Sequence, residues 1–294
     1  MKKTTTYVSI FPIAIAASLC LGQTLQAEIV VQDKQTVAFM GDSITQAGAD
    51  TPSGYVRLVV SGLATNGIEI TPVPAGISGH KSDQMLERLE RDVLSKNPDW
   101  LTLSCGVNDV WHGERGIPLE EYKKNITAIV DQAQAAGVKV AILTATMIHE
   151  DQTQPHNQTL VAYNDFLREL AKGKGCLLAD LNAAMQKRVA ADTEAAGGKA
   201  HGNFLTGDGV HMNPLGNEMM AITILETFGL NQSQIAKAVN AWDEIPQSSA
   251  FDARAMISLK QYKQLSRIAS ERKMSIQRLA SEILHAGLDE ATSN

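Results

Sequence analysis

Four short blocks carry the residue types of a serine nucleophile site. They are Gly41-Asp42-Ser43, Gly79, Gly106-Val107-Asn108-Asp109 and Asp208-Gly209-Val210-His211. A hydroxyl attacks poorly until a neighbouring base takes its proton, and that base needs a partner to fix its tautomer and orientation. Ser43, His211 and Asp208 have the types for those roles: nucleophile, base and orienting acid. Charge that develops on a carbonyl oxygen under attack needs fixed donors. The backbone N–H groups of Ser43 and Gly79 and the side-chain amide of Asn108 offer them, glycine because a backbone without Cβ approaches a reacting atom closely. The chemistry within reach of this set is transfer of an acyl group from an ester to serine, then to water.

Blander roles compete for the same residues. A serine after a strand often does no more than cap a helix. No Gly-x-Ser-x-Gly surrounds Ser43, so the nucleophile elbow of ordinary α/β-hydrolases is absent. Asp42 and Asp109 directly precede Ser43 and follow Asn108, and each reads as a cap or turn residue. Among seven histidines, only His211 has Asp-x-x-His context ahead of a helix start; His80, His112, His149, His156, His201 and His285 do not. His80, Trp111 and His112 fall beside site blocks and are candidate substrate contacts. No His-Glu-x-x-His pattern occurs, so neither a catalytic metal nor a cofactor is expected.

Taken in order, the blocks resemble those of the SGNH hydrolases, the GDSL-type esterases and lipases. Ser43 matches the nucleophile of their first block and Gly79 the glycine of the second. Asn108 fits the Gly-x-Asn-Asp block, and Asp208 with His211 fits the Asp-x-x-His block. The resemblance runs over residues 34–229. It implies a catalytic Ser43–His211–Asp208 set, an oxyanion hole of Ser43, Gly79 and Asn108, and a flavodoxin-like strand order 2-1-3-4-5. One departure is visible: Pro74 stands where the second block usually opens with Asn, which leaves Gly76 as an alternative donor to Gly79. Relatives of this kind act on acetylated polysaccharides, simple esters, thioesters and lysophospholipids, and the blocks do not separate these substrates.

The elements that must position these residues alternate along the chain. Strands are expected at 36–40, 68–73, 99–104, 138–144 and 177–180. Helices are expected at 54–65, from Ser82 as cap, from Pro118 to 136, and at 159–172, 182–195 and 214–228. Five strands alternating with helices mean βαβ units: an α/β, doubly wound five-stranded parallel sheet with helices on both faces. Ser43 then lies at the carboxyl end of the first strand, where open α/β sheets bind ligands.

Residues 1–27 read as a signal peptide. Lys2 and Lys3 precede an uncharged apolar stretch, and Leu25-Gln26-Ala27 is a cleavage site. Leu19 before Cys20 speaks against lipid attachment. The expected location is therefore periplasmic or secreted, with no membrane span after cleavage. Removing Lys2 and Lys3 takes the formal charge from −6 to −8, which disfavours nucleic acid or an anionic membrane as partner. Cys105 and Cys176 fall at opposite ends of their strands and are expected to be buried free thiols. The hydrolase domain is set at 28–242, a linker at 243–254 and an appendage at 255–294.

The appendage reads as a short strand at 255–259 and two amphipathic helices, which resembles a ribbon-helix-helix module. Residues 250–294 hold seven Lys/Arg against five Asp/Glu, well short of a basic stripe. The export signal also speaks against DNA binding. The tail is read instead as a helical appendage that docks on the main domain or pairs two copies into a homo-oligomer. The function expected overall is an exported serine esterase acting on short-acyl, acetyl-type esters of carbohydrates, a small-molecule or oligosaccharide substrate. A lysophospholipase- or thioesterase-type acylhydrolase is the alternative, and a protein working through its tail on DNA or a partner is the reading from another class.

Overall fold

The sheet is built from five short runs: β1 (Thr36–Gly41), β2 (Thr71–Gly76), β3 (Trp100–Ser104), β4 (Lys139–Leu143) and β5 (Leu177–Ala179). They pair in parallel in the order β2-β1-β3-β4-β5. β3 is buried along its whole length, and β1 and β4 are buried beyond their first residues. Strands covered by helices on both faces must read as continuous apolar runs, and these do. This computed structural model describes residues 29–198, 203–245 and 258–293. The expected leader 1–27, residues 199–202 with His201, most of the expected linker (246–254) and residues 255–257 of the expected tail strand lie outside them.

α1 (Ser43–Asp50) and α2 (Tyr55–Thr65) follow β1, and α3 (Ser82–Asp92) follows β2. α4 (Val107–Trp111) and α5 (Leu119–Ala135) follow β3, α6 (Pro155–Lys174) follows β4, and α7 (Leu181–Ala195) follows β5. α8 (Pro214–Thr227) and α9 (Gln232–Asp243) complete the unit. The long helices bury apolar residues against the core. α5, for example, buries Tyr122, Ile126, Ile129, Val130 and Ala133, at spacings that put all five on one face. A large aliphatic side chain buried this way stabilises the fold by about 1.5–3 kcal/mol. α6 starts at Pro155, four residues before the expected 159, because proline is tolerated in the first turn, and Gly175 stops it in the left-handed conformation.

Two further boundaries differ from expectation for identifiable reasons. β2 starts at Thr71 rather than Ile68 and runs through Pro72 and Pro74. As the edge strand it pairs with β1 alone: the N–H groups of Thr71 and Ile77 reach Gln35, just before β1, and Gly41 at its end. Pro72 and Pro74 alternate with the bonded positions, so their missing N–H groups fall on the free edge, where proline is tolerated. Ser82 does not cap α3 but is its first residue, fully buried, with its N–H donated 3.0 Å to Asp109 Oδ1.

Two compact units divide the chain, 1–249 and 250–294. In the second, α10 (Leu259–Glu271) is capped by Ser258 and α11 (Ile276–Thr292) by Ser275. Ser258 and Leu259, expected to end a strand, instead cap and open α10. Ala269 and Leu279 are buried within this unit, while Tyr262, Ile283, Leu284 and Leu288 are exposed. Among the described residues no helix is long and apolar enough to cross a membrane. Cys105 is a buried free thiol; Cys176, expected to be buried as well, is only half-buried, with its sulfur beside the Gln134 amide at 3.6 Å.

Candidate active site

Ser43 is the first residue of α1, directly beyond the end of β1. Asp42 caps the helix, its Oδ1 accepting the Ile44 N–H at 2.9 Å. The N–H of a helix's first residue has no partner inside the helix, and that of Ser43 has none in the protein among the described residues. It remains free for a ligand. Asp42 itself is buried. Desolvation pushes its carboxyl up to about 6; the Ile44 bond pulls it down, and the Asp109 charge pushes it up again.

That displacement has a measurable consequence. An unfolded aspartate titrates at about 3.9, so between about 4 and about 6 the folded chain binds more protons than the unfolded one. The Asp42 contribution to stability therefore falls as pH rises through this window. Asp42→Asn removes the contribution. The Tm of the variant minus that of wild type is expected to grow between about pH 4 and about pH 6, then level off. Melting curves across that range check it; a constant difference contradicts a buried, ionising Asp42.

The loop after β2 carries the two candidate glycines, and their surroundings differ. Gly76 ends β2 against the backbone of α1: a Cβ there would lie 2.3 Å from the Gln46 nitrogen. Gly79 has φ +77 and open space around it, and its N–H has no protein partner among the described residues. The loop is fixed on either side by Ile77 N–H to Gly41 O at 3.1 Å and Ser78 N–H to Gln46 Oε1 at 2.8 Å. Gly76 thus serves close packing, while Gly79 presents a free donor.

Asn108 is buried in α4, past the Gly106 turn that ends β3. Its amide nitrogen donates to Asp42 Oδ2 at 3.2 Å and to the His80 carbonyl at 3.3 Å. The neighbouring Asp109 takes the Ser82 N–H and, at 3.4 Å, the Cys105 thiol, so it joins the start of α3 to α4. Arg88 ties the carboxyl ends of β1 and β2 from behind, donating to Gly41 O at 2.9 Å and Ala75 O at 2.8 Å.

Asp208 and His211 sit on a loop ahead of α8. Asp208 Oδ1 accepts the N–H groups of Val210 and His211 at 2.9 and 2.8 Å, and Oδ2 accepts His211 Nδ1–H at 2.7 Å. With Nδ1 protonated, Nε2 is the acceptor, and the Ser43 hydroxyl donates to it at 2.9 Å. Burial opposes ionisation of Asp208, but the bonds from His211 and Val210 outweigh it and hold its carboxyl down at about 2. The pair faces solvent, with the Asp208 and His211 side chains 58% and 39% exposed. A hydroxyl, an imidazole acceptor and an ionised carboxylate in line are the parts of nucleophilic acyl transfer.

The supports of this loop carry no sequence motif. Glu150, after β4, accepts the N–H groups of Phe204, Leu205 and Thr206 and the Thr206 hydroxyl, all at 2.7–2.8 Å. His149 donates its N–H to Gly209 O at 2.7 Å. Asn213 caps α8 and reaches back to Phe204 O at 2.9 Å.

Residues 39–219 match the model of the GDSL-like Lipase/Acylhydrolase family. The chain belongs to that family. It is an ester hydrolase of the SGNH type, and the match spans every block from Ser43 to His211. An acetylxylan esterase of Geobacillus stearothermophilus is 27% identical over 214 residues, 66% of this chain and 94% of its own. Esterase TesA of Pseudomonas aeruginosa is 34% identical over 131 residues, 44% of this chain and 63% of its own. The crystal structure of the acetyl xylan esterase AlAXEase has 34% identity and TM-score 0.59, over 65% of this chain and 98% of that one.

Around the family's blocks stand the three candidate substrate contacts. His80 brings its carbonyl to Asn108, and its ring Nδ1 is buried without a partner among the described residues. Trp111 ends α4 and is 37% exposed, stacked on half-buried His112 with ring centroids 6.2 Å apart and planes 15° from parallel. Among the described residues no three His, Cys, Asp or Glu side chains converge as a metal-binding group.

Proposed function

We propose that this family member is an exported serine esterase that removes short acyl groups, acetyl above all, from carbohydrate hydroxyls. The observation that carries the serine chemistry is the line from Asp208 through His211 to the Ser43 hydroxyl. His211 takes the Ser43 proton as the oxygen attacks the ester carbonyl. The N–H groups of Ser43 and Gly79 and the Asn108 amide hold the oxyanion. His211 then protonates the leaving alcohol, and water, activated by the same imidazole, releases the acid. Asp208 orients the ring and balances the imidazolium.

Two observations support the short acyl group and the sugar. Two of the relatives above are acetylxylan esterases by name. The His211–Asp208 side of the site is open to solvent, as a bulky polar alcohol requires. Export rests on the leader pattern in residues 1–27.

The test is a chain-length series of nitrophenyl esters beside acetylated xylo-oligosaccharides. kcat/KM is expected to be highest for acetyl and to fall as the acyl chain grows. Trp111→Ala is expected to raise KM for the oligosaccharide about tenfold, by about 1.4 kcal/mol, without changing kcat on nitrophenyl acetate. A preference for long acyl chains or thioesters replaces this reading with the lysophospholipase- or thioesterase-type one.

A further inference from the structure

Asp42 is buried, ionisable and absent from the acyl-transfer steps above, yet it touches a group that those steps use. Its two oxygens are divided: Oδ1 takes the Ile44 N–H, which starts α1, and Oδ2 takes one proton of the Asn108 amide. The other amide proton rests on the His80 carbonyl at 3.3 Å. We propose that Asp42 is a positioning residue for the oxyanion hole: it holds one Asn108 N–H so that the second, bonded to His80 O at rest, donates its hydrogen bond to the substrate oxygen in the transition state. This rests on the reading of Asn108 as an oxyanion donor.

The energetics favour that division of labour. A bond to a carboxylate is stronger than one to a neutral carbonyl, so the Asp42 contact persists while the long His80 contact yields. An oxyanion is a better acceptor than the carbonyl it displaces, and the amide need not turn to meet it. Flipping the amide would set its oxygen against the Asp42 carboxylate and leave buried groups unpaired, which the site disfavours. Asp42 and His80 O together leave Asn108 a single amide orientation.

Capping and positioning can be separated by substitution. Serine at position 42 keeps a good N-cap for Ile44 but is too short to reach Asn108. Asp42→Ser is expected to lower kcat at least about tenfold, and by no more than the ~10²–10³-fold of losing a donor outright, with KM within about twofold. If the smaller side chain unfolds the protein, as melting curves would show, Asp42→Asn replaces it. Its amide cannot accept from both Ile44 and Asn108, so the same loss is expected.

The loss must also vanish in an Asn108→Ala background, because Asp42 acts through that amide. Wild-type kcat in the folded single variants, or an undiminished Asp42 effect in the double variant, overturns the proposal alone. An Asn108→Ala enzyme with wild-type kcat overturns both the proposal and the donor role beneath it.

Discussion

Ser43→Ala is expected to lower kcat on acetyl esters about a million-fold while leaving Tm close to wild type. The change removes one oxygen whose bond is to His211 Nε2, at the half-buried start of α1. No core contact is lost, and the cap that starts the helix comes from Asp42, not from Ser43. Without the oxygen there is no acyl-enzyme. What survives is the binding and polarising effect of the remaining site. Steady-state kinetics and melting curves on the same preparation check both halves of the expectation. A large fall in Tm would mean that lost activity reports lost fold.

The second large effect is at Asn108. Asn108→Ala deletes the side-chain donor and leaves Ser43, His211 and Asp208 in place. The expected cost is about 2.7–4 kcal/mol in the transition state, a fall of roughly 10²–10³ in kcat with little change in KM. The split matters because the amide is proposed to bind charge that exists only during reaction. The variant also leaves Asp42 without its Asn108 partner inside the protein, so its melting curve should be read beside the kinetics. A KM effect with kcat retained would make Asn108 a ground-state contact.

How much of this was legible beforehand depends on what kind of signal each element carries. The strands and the long helices α5, α6 and α8 announced themselves through apolar spacing, α5 and α8 also through Pro118 and Pro214 near their starts. The first turn of α6, opened by Pro155, was missed. α1 gave no such signal. It buries only Ile44, Thr45 and Gly48, and it forms because Asp42 caps a turn that leaves the sheet. α9 was readable in principle: Asn231 and Gln234 make a capping box, and Ile235, Ala238 and Trp242 follow at helical spacing. β2 was placed three residues early because Ile68 and Ile70 carry the apolar signal, whereas the pairing with β1 begins at Thr71 and runs past Pro74 to Gly76.

The same division holds at the site. The four blocks placed Ser43, Gly79, Asn108, Asp208 and His211 because each lies in a short local pattern at a strand end or before a helix. The structure brings Ser43, His211 and Asp208 into one hydrogen-bonded line and leaves the N–H groups of Ser43 and Gly79 without protein partners. Glu150 and Arg88 hold that arrangement through bonds to backbone groups 54–56 and 13–47 residues away. Such contacts depend on the final path of the chain and leave no spacing to read. Asp42 was visible as a cap; its second bond, to Asn108, needs the three-dimensional meeting of β1 and β3.

The most direct test of the account is covalent. Wild-type protein treated with a serine-directed phosphonate and digested for peptide mass analysis should carry a single adduct, on Ser43, with activity lost in proportion to labelling. Ser43→Ala should take no label and show no esterase activity above the residual level. A label on another residue, or ester hydrolysis that persists at wild-type rates in Ser43→Ala, would contradict the assignment of Ser43 as the nucleophile.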